Sequence, residues 1–82
     1  MRLPYNTGSA TGLVAVTPSD ETGFSPPLRA IWVGVGGDVA IRCPDDASAV
    51  TLVGVPAGTL LPVEAEMVMS TNTTATSIVG IR

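Results

Sequence analysis

Turn-forming residues interrupt this chain at short intervals, and that spacing limits what it can fold into. Its 82 residues include nine glycines and seven prolines, many of them close to serine, asparagine or aspartate. The segments between these clusters are short, and none keeps a helical period of about 3.6 residues beyond a turn or two. The pattern predicts an all-β fold: a small antiparallel β-sandwich or barrel of about six to seven short strands.

The chain divides into a terminal arm and a single domain. Residues 1–12 are rich in threonine, glycine, serine and asparagine, and we predict an extended N-terminal arm there. Residues 13–82 are predicted to form one β domain, since a chain of this length has a single core. The predicted strands are Leu13–Thr17, Leu28–Val35, Val39–Cys43, Ala49–Val55, Leu60–Ser70 and Ser77–Ile81.

The segment Leu28–Cys43 is the predicted centre of the fold, and it contains the only tryptophan and the only cysteine. Gly36, Gly37 and Asp38 separate two apolar runs, and such residues favour a tight β-hairpin because they tolerate positive φ. Both faces of the first run are largely apolar, whereas a strand covered on one side only alternates with polar residues. We therefore expect both faces to be covered.

The composition indicates that the domain is part of an assembly. Charged residues make up 13% of the chain and hydrophobic residues 45%, against an average charged fraction of roughly 25%. A short chain buries a marginal core, so we expect apolar surface to be buried against other subunits. With net charge −3 and four scattered arginines, the chain is not expected to bind nucleic acid. Its apolar runs are too short for a membrane helix, and we expect no membrane partner.

Residue types suited to catalysis are few. There is no histidine, which removes the usual general base and the base of serine and cysteine triads. Cys43 follows an apolar strand and is expected to be a packed thiol in a reducing compartment. Glu64 and Glu66 would share one face of a strand, which leaves an enzyme as an alternative. We predict no catalytic residues, no cofactor and no metal site.

The residues singled out here are assigned to packing rather than chemistry. Trp32 lies in the middle of a strand, so a place in the core is expected for it. Core or intersubunit packing is predicted for Ile31, Trp32, Val33, Ile41, Leu52 and Val63.

A second group of residues is predicted to contact partners. Arg29 and Arg42 would share a face of the central hairpin and form an intersubunit site, the alternative being two solvated arginines. Leu3, Pro4 and Tyr5 give the arm apolar groups with which it could dock on a neighbour.

Three groups of landmarks also resemble a known family. They are Arg29–Gly34 (RAIWVG) with its Gly-Gly-Asp turn, Val55–Gly58 (VPAG) with Leu61-Pro62, and Thr74–Thr76 (TAT). In this order they resemble short head proteins of tailed phages and gene transfer agents, including head-spike base proteins. The resemblance spans about six-sevenths of the chain. It implies a β-rich virion structural protein, made in the cytoplasm of a bacterial host and placed on the outer capsid surface.

The resemblance implies two arrangements on the capsid. One is a cement or decoration protein that braces capsomers as a trimer, and the other is a pentameric vertex base for a head spike or fibre. In both, the partners are other copies of the chain and the major capsid protein, with a spike or fibre protein in the second. A small glycan-binding β module is the alternative of another class, although such sites usually need exposed aromatic residues.

Overall fold

The computed structural model describes residues 10–82 as seven strands in two antiparallel sheets. Their order in the four-stranded first sheet is β1-β7-β2-β5, and the second sheet has the order β4-β3-β6. The prediction of an all-β, antiparallel fold is confirmed. Within residues 10–82, no helix is long and apolar enough to span a membrane. The strands are β1 (Leu13–Ala15), β2 (Ala30–Val35), β3 (Gly37–Arg42), β4 (Val50–Val55), β5 (Thr59–Leu61), β6 (Met67–Val68) and β7 (Thr76–Ile81).

The core lies between the inner faces of the two sheets. Alternate residues of β2, Ile31 and Val33, are fully buried, and so is Val39 of β3. Because successive strand residues point to opposite faces, the residues between them are directed away from the core. Leu28 also joins the core, although it precedes β2, and it pairs with Ala65 through an isolated bridge.

The prediction of a hairpin between the two central strands is wrong. β2 pairs with β5 and β7, whereas β3 pairs with β4 and β6. Gly36 is therefore a corner where the chain passes from one sheet to the other. A Cβ there would lie 2.8 Å from the carbonyl oxygen of Val55 and 2.9 Å from the nitrogen of Ala57. The glycine is needed for this close backbone approach, not for a hairpin turn.

The long strand predicted for Leu60–Ser70 is also wrong, because the chain changes sheets within it. β5 belongs to the first sheet and β6 to the second. Pro62 follows β5 directly and cannot donate a ladder hydrogen bond, which ends the strand there. Glu64 and Glu66 therefore do not lie two positions apart on one strand, as the enzyme alternative required.

The loop after β1 closes the outer edge of the second sheet at β6. Ser19 N–H donates to the Val68 carbonyl oxygen at 2.9 Å, and Phe24 N–H donates to that of Glu66 at 2.8 Å. Asp20 fixes the loop, because its Oδ1 accepts hydrogen bonds from the amides of Ser70 and Thr71, both at 3.0 Å. The hydroxyl and amide of Thr71, followed by Ser70, lower the pKa of the Asp20 carboxyl.

Replacing Asp20 with asparagine should destabilise the domain at neutral pH and have little effect in acid. A lowered carboxylate pKa contributes stability above the unfolded value of about 3.9, and that stability is lost as the pH falls through the folded value. Melting temperatures of the wild type and D20N between pH 7 and pH 2 test this. The gap should close at low pH, whereas E21Q, which makes the same charge change on an exposed neighbour, should show no such gap.

Replacing Gly80 with alanine should strain the core. Gly80 is buried and pairs with Val14 and Ile31 on either side. A Cβ there would lie 2.5 Å from Cδ1 of the fully buried Leu28. We expect a loss of about 1–3 kcal/mol in the free energy of unfolding, measured by denaturant titration.

The matched control is Gly12→Ala, where the nearest atom to the new Cβ would be 3.6 Å away. Equal denaturation midpoints for G80A and G12A would contradict the steric account of this position.

Candidate assembly surface

The outer side of the first sheet is an apolar surface made by four strands. Trp32 pairs with Leu60 on one side and with Val79 on the other. Directly paired residues project to the same side of a sheet, so the register places one residue from each strand in a row. The outer apolar face consists of Leu13, Ala15, Ala30, Trp32, Leu60, Val79 and Ile81.

The outer apolar face is left uncovered within residues 10–82. Leu13 is 70% exposed, Leu60 51% and Trp32 42%. An antiparallel sheet with one face in water normally carries polar residues on that face, yet this one has no charged residue. An exposed apolar patch of this kind is typical of an interaction surface.

The residues predicted for packing divide between the core and this surface. Ile31, Val33 and Ile41 are buried, and Leu52 and Val63 are half-buried against the core. Trp32 is not in the core, so that expectation is wrong. Its strand does have two apolar faces, but only the face with Ile31 and Val33 is covered by the second sheet. Intersubunit packing of Trp32 stays a prediction.

The two arginines predicted to contact partners lie in different surroundings and do not share a face. Arg42 is on β3 of the second sheet, where its Nη2 lies 3.2 Å from Oε1 of Glu66. Arg29 precedes β2 in the first sheet, and its backbone N–H donates to the Ile81 carbonyl oxygen at 2.7 Å. Because the Glu66 carboxylate already pairs with the Arg42 guanidinium, Arg42 is less suited to form an ion pair with a partner subunit. The predicted arm contacts at Leu3, Pro4 and Tyr5 lie outside the described residues.

A second open feature lies beside β4, where the sandwich is not closed. A cleft of about 80 Å³ is bordered by Asp46 and, on its apolar walls, by Ile41, Cys43, Val50, Leu52 and Val63.

The thiol in this cleft is a packing group. Cys43 lies against the core, and its N–H donates to Oδ2 of Asp46 at 3.0 Å. Burial raises the pKa of the Cys43 thiol, and the nearby carboxylates of Asp46, Glu64 and Asp45 raise it further. Since the thiolate is the nucleophilic form, a raised pKa makes this cysteine a poor nucleophile.

Comparison with known proteins places the fold in a family. No protein-family model matches the sequence, and no curated protein matches it. Among solved structures, a chain from the capsid of a native GTA (gene transfer agent) particle, computed with C5 symmetry, matches with a TM-score of 0.79. The two chains are 38% identical, over 90% of this chain and 84% of the other. This protein belongs to the family of that GTA capsid chain.

Membership of this GTA capsid family agrees with the resemblance carried by the sequence landmarks. The sequence does not predict the outer apolar face. Of its residues, only Trp32 is singled out from the sequence, for core or intersubunit packing. Leu13, Leu60 and Val79 come from three strands far apart in the chain. Only the strand order and register bring them together. The one available signal was the apolar character of both faces of β2.

Replacing Leu60 with serine should weaken association of this GTA-family domain without unfolding it. Covering a half-exposed leucine contributes roughly 1 kcal/mol or somewhat more, so the dissociation constant should rise about fivefold to tenfold. Trp32 lies beside Leu60 and is the only tryptophan. As the protein is diluted and dissociates, the emission of Trp32 should shift to longer wavelength. For L60S, this shift should occur at a higher protein concentration than for the wild type.

Val35→Ser is the control for that experiment. Val35 is 50% exposed but lies at the end of β2, outside the outer apolar face. A dissociation constant of L60S that equals those of V35S and the wild type would show that the face makes no contact.

Proposed function

We propose that the protein is a virion structural protein on the outer surface of a tailed-phage-like capsid, where it acts as a homo-oligomeric cement or decoration protein that braces capsomers. The observation that carries this proposal is the match to a chain of a GTA capsid, which spans most of both chains. The proposal also accounts for an outer apolar face that the domain itself does not cover.

Bracing in this proposal means the burial of apolar surface at many repeated junctions. Each buried side chain of the size of leucine or tryptophan contributes about 1.5–3 kcal/mol relative to full exposure. Trp32 and Leu60 are about half-exposed, so each has roughly half of that left to gain. The gain at one junction is modest, but it is repeated wherever a copy binds. No bond needs to be made or broken.

A pentameric base at the capsid vertices, seating a head spike or fibre, is the second arrangement. The matched particle was computed with C5 symmetry, and five copies of this chain placed about such an axis would close a ring. The partners would then include a spike or fibre protein besides the major capsid protein.

The glycan-binding alternative gains an exposed aromatic residue but lacks polar support for it. Trp32 is flanked on its sheet by Leu60 and Val79, which offer no hydrogen bonds to sugar hydroxyls. The enzyme alternative loses a free carboxylate, because Glu66 is paired with Arg42. Both observations favour an assembly role.

The deciding experiment is the mass of the purified protein by light scattering after size exclusion, followed by co-sedimentation with capsids that lack it. A trimer would favour cement at threefold positions, and a pentamer would favour a vertex base. In either case binding to bare capsids is expected. A monomer that does not co-sediment with capsids would overturn the proposal.

A further inference from the structure

Among the described residues 10–82, nothing pairs with the outer edge of the strand β4. It carries six residues, VTLVGV, with no charge and no proline. Proteins normally protect such edges with charges, prolines, covering loops or short strands, because unpaired N–H and C=O groups accept other strands. The other three sheet edges have such protection. The loop at Ser19–Phe24 covers β6, Pro62 follows β5 directly, and β1 is only three residues long.

The apolar cleft lies directly beside this edge. Val50 and Leu52 of β4 line it together with Val63, and Val50 is 58% exposed. A strand that paired with β4 would direct every second side chain toward the cleft. Strand addition of this kind combines backbone hydrogen bonds with pockets for alternate side chains. The volume of about 80 Å³ is several times the ~10–15 Å³ that one water needs.

Carboxylates around one end of the cleft define the charge of the expected partner. Asp46 lines the cleft, and Asp45 and Glu64 lie close enough to raise the pKa of the Cys43 thiol inside it. The strand that fits this site is extended, carries an aliphatic residue for the cleft and has positive rather than negative charge nearby.

Residues 1–9 of this chain, MRLPYNTGS, have a sequence that suits such a strand. Met1, Leu3 and Tyr5 alternate with Arg2, Pro4 and Asn6, the pattern of a strand with one apolar face. Arg2 is positive, and the segment has no carboxylate side chain. Pro4 is compatible with an added edge strand, because alternate residues turn their backbone groups away from the partner.

We propose that residues 1–9 of one subunit add as a strand to β4 of a neighbouring subunit, with Leu3 entering the cleft. This inference rests on the homo-oligomer of the proposed function and names its contact.

The path of the chain favours a neighbouring subunit over the same one. Thr11 and Gly12 donate to the Arg82 carbonyl oxygen at 2.7 and 2.6 Å, which fixes the chain beside β1. β1 is at the opposite edge of the first sheet from β5, about 14 Å away at ~4.8 Å per strand. The cleft lies a further ~10 Å across, at the second sheet.

The seven residues from Leu3 to Ala10 reach about 24 Å when fully extended. A path around the two sides of the domain is at least ~24 Å long, which uses the whole extended length and leaves no residues to pair with β4, whereas a neighbour can present its β4 directly. A contact from the β1 edge of one copy to the β4 edge of the next is head-to-tail, the type of contact that forms a ring when the rotation between copies closes.

The test uses Cys43 as a built-in probe in the full-length chain. Leu3→Cys would place a thiol in the cleft beside Cys43, and oxidation by copper phenanthroline removes two electrons and two protons to form a disulfide. Nonreducing gels should show a ladder of covalent multimers for L3C that ends at the oligomer's mass. Arg2→Cys, on the other face of the added strand, should cross-link at most about a tenth as fast, and L3C combined with C43S should not form the ladder.

Two substitutions on β4 supply an independent measurement. Val50→Asp would place a carboxylate at the cleft and should weaken association at least about tenfold, as measured by light scattering across a dilution series. Val53→Asp is the matched control, since Val53 is 78% exposed on the opposite face of the same strand.

Equal cross-linking of L3C and R2C, or a disulfide within one subunit, would overturn the inference. So would equal association of V50D and V53D. In each case the full-length protein would still form its oligomer and bind capsids if the proposed function is right, so the two failures are distinguishable.

Discussion

The packing of β2 against β3 across the sandwich is the contact on which the rest of the domain depends. Ile31 and Val33 come from one strand, and Val39 and Ile41 come from the other; all four belong to one buried cluster. Side chains of this kind contribute about 1.5–3 kcal/mol each when fully buried, a large part of the 5–15 kcal/mol that stabilises a typical domain. β5 and β7 pair with β2, β4 and β6 pair with β3, and β1 is added to the first sheet through β7.

This arrangement has a consequence for the surface of the first sheet. A sandwich of two sheets can cover only one side of each strand, while β2 is apolar on both sides. The second sheet covers Ile31 and Val33, and the part of the chain that the structure describes has no further layer over Trp32 and Val79. A strand that is apolar on both faces therefore leaves one apolar face exposed in a two-layer fold. That exposed face is the surface through which the domain can bind other subunits.

The fold class follows from the sequence, whereas the pairing of strands does not. Short apolar segments between glycine and proline clusters are enough to predict the sandwich, and most predicted strands lie within a few residues of those observed. The change of sheet at Gly36 was missed, because a Gly-Gly-Asp segment suits a hairpin and a corner equally well. Trp32 was expected inside for a related reason: alternation identifies two faces but does not say which one the second layer covers.

The closure of the β6 edge by the loop around Asp20 limits how far the second sheet can grow. Cross-β fibres form when strands add on both sides of a sheet without end. Within residues 10–82 the loop at Ser19–Phe24 covers the β6 edge, which leaves the β4 edge of the second sheet open to a strand. By fixing the loop that covers β6, the Asp20 carboxylate removes one of the two edges at which the second sheet could join another chain.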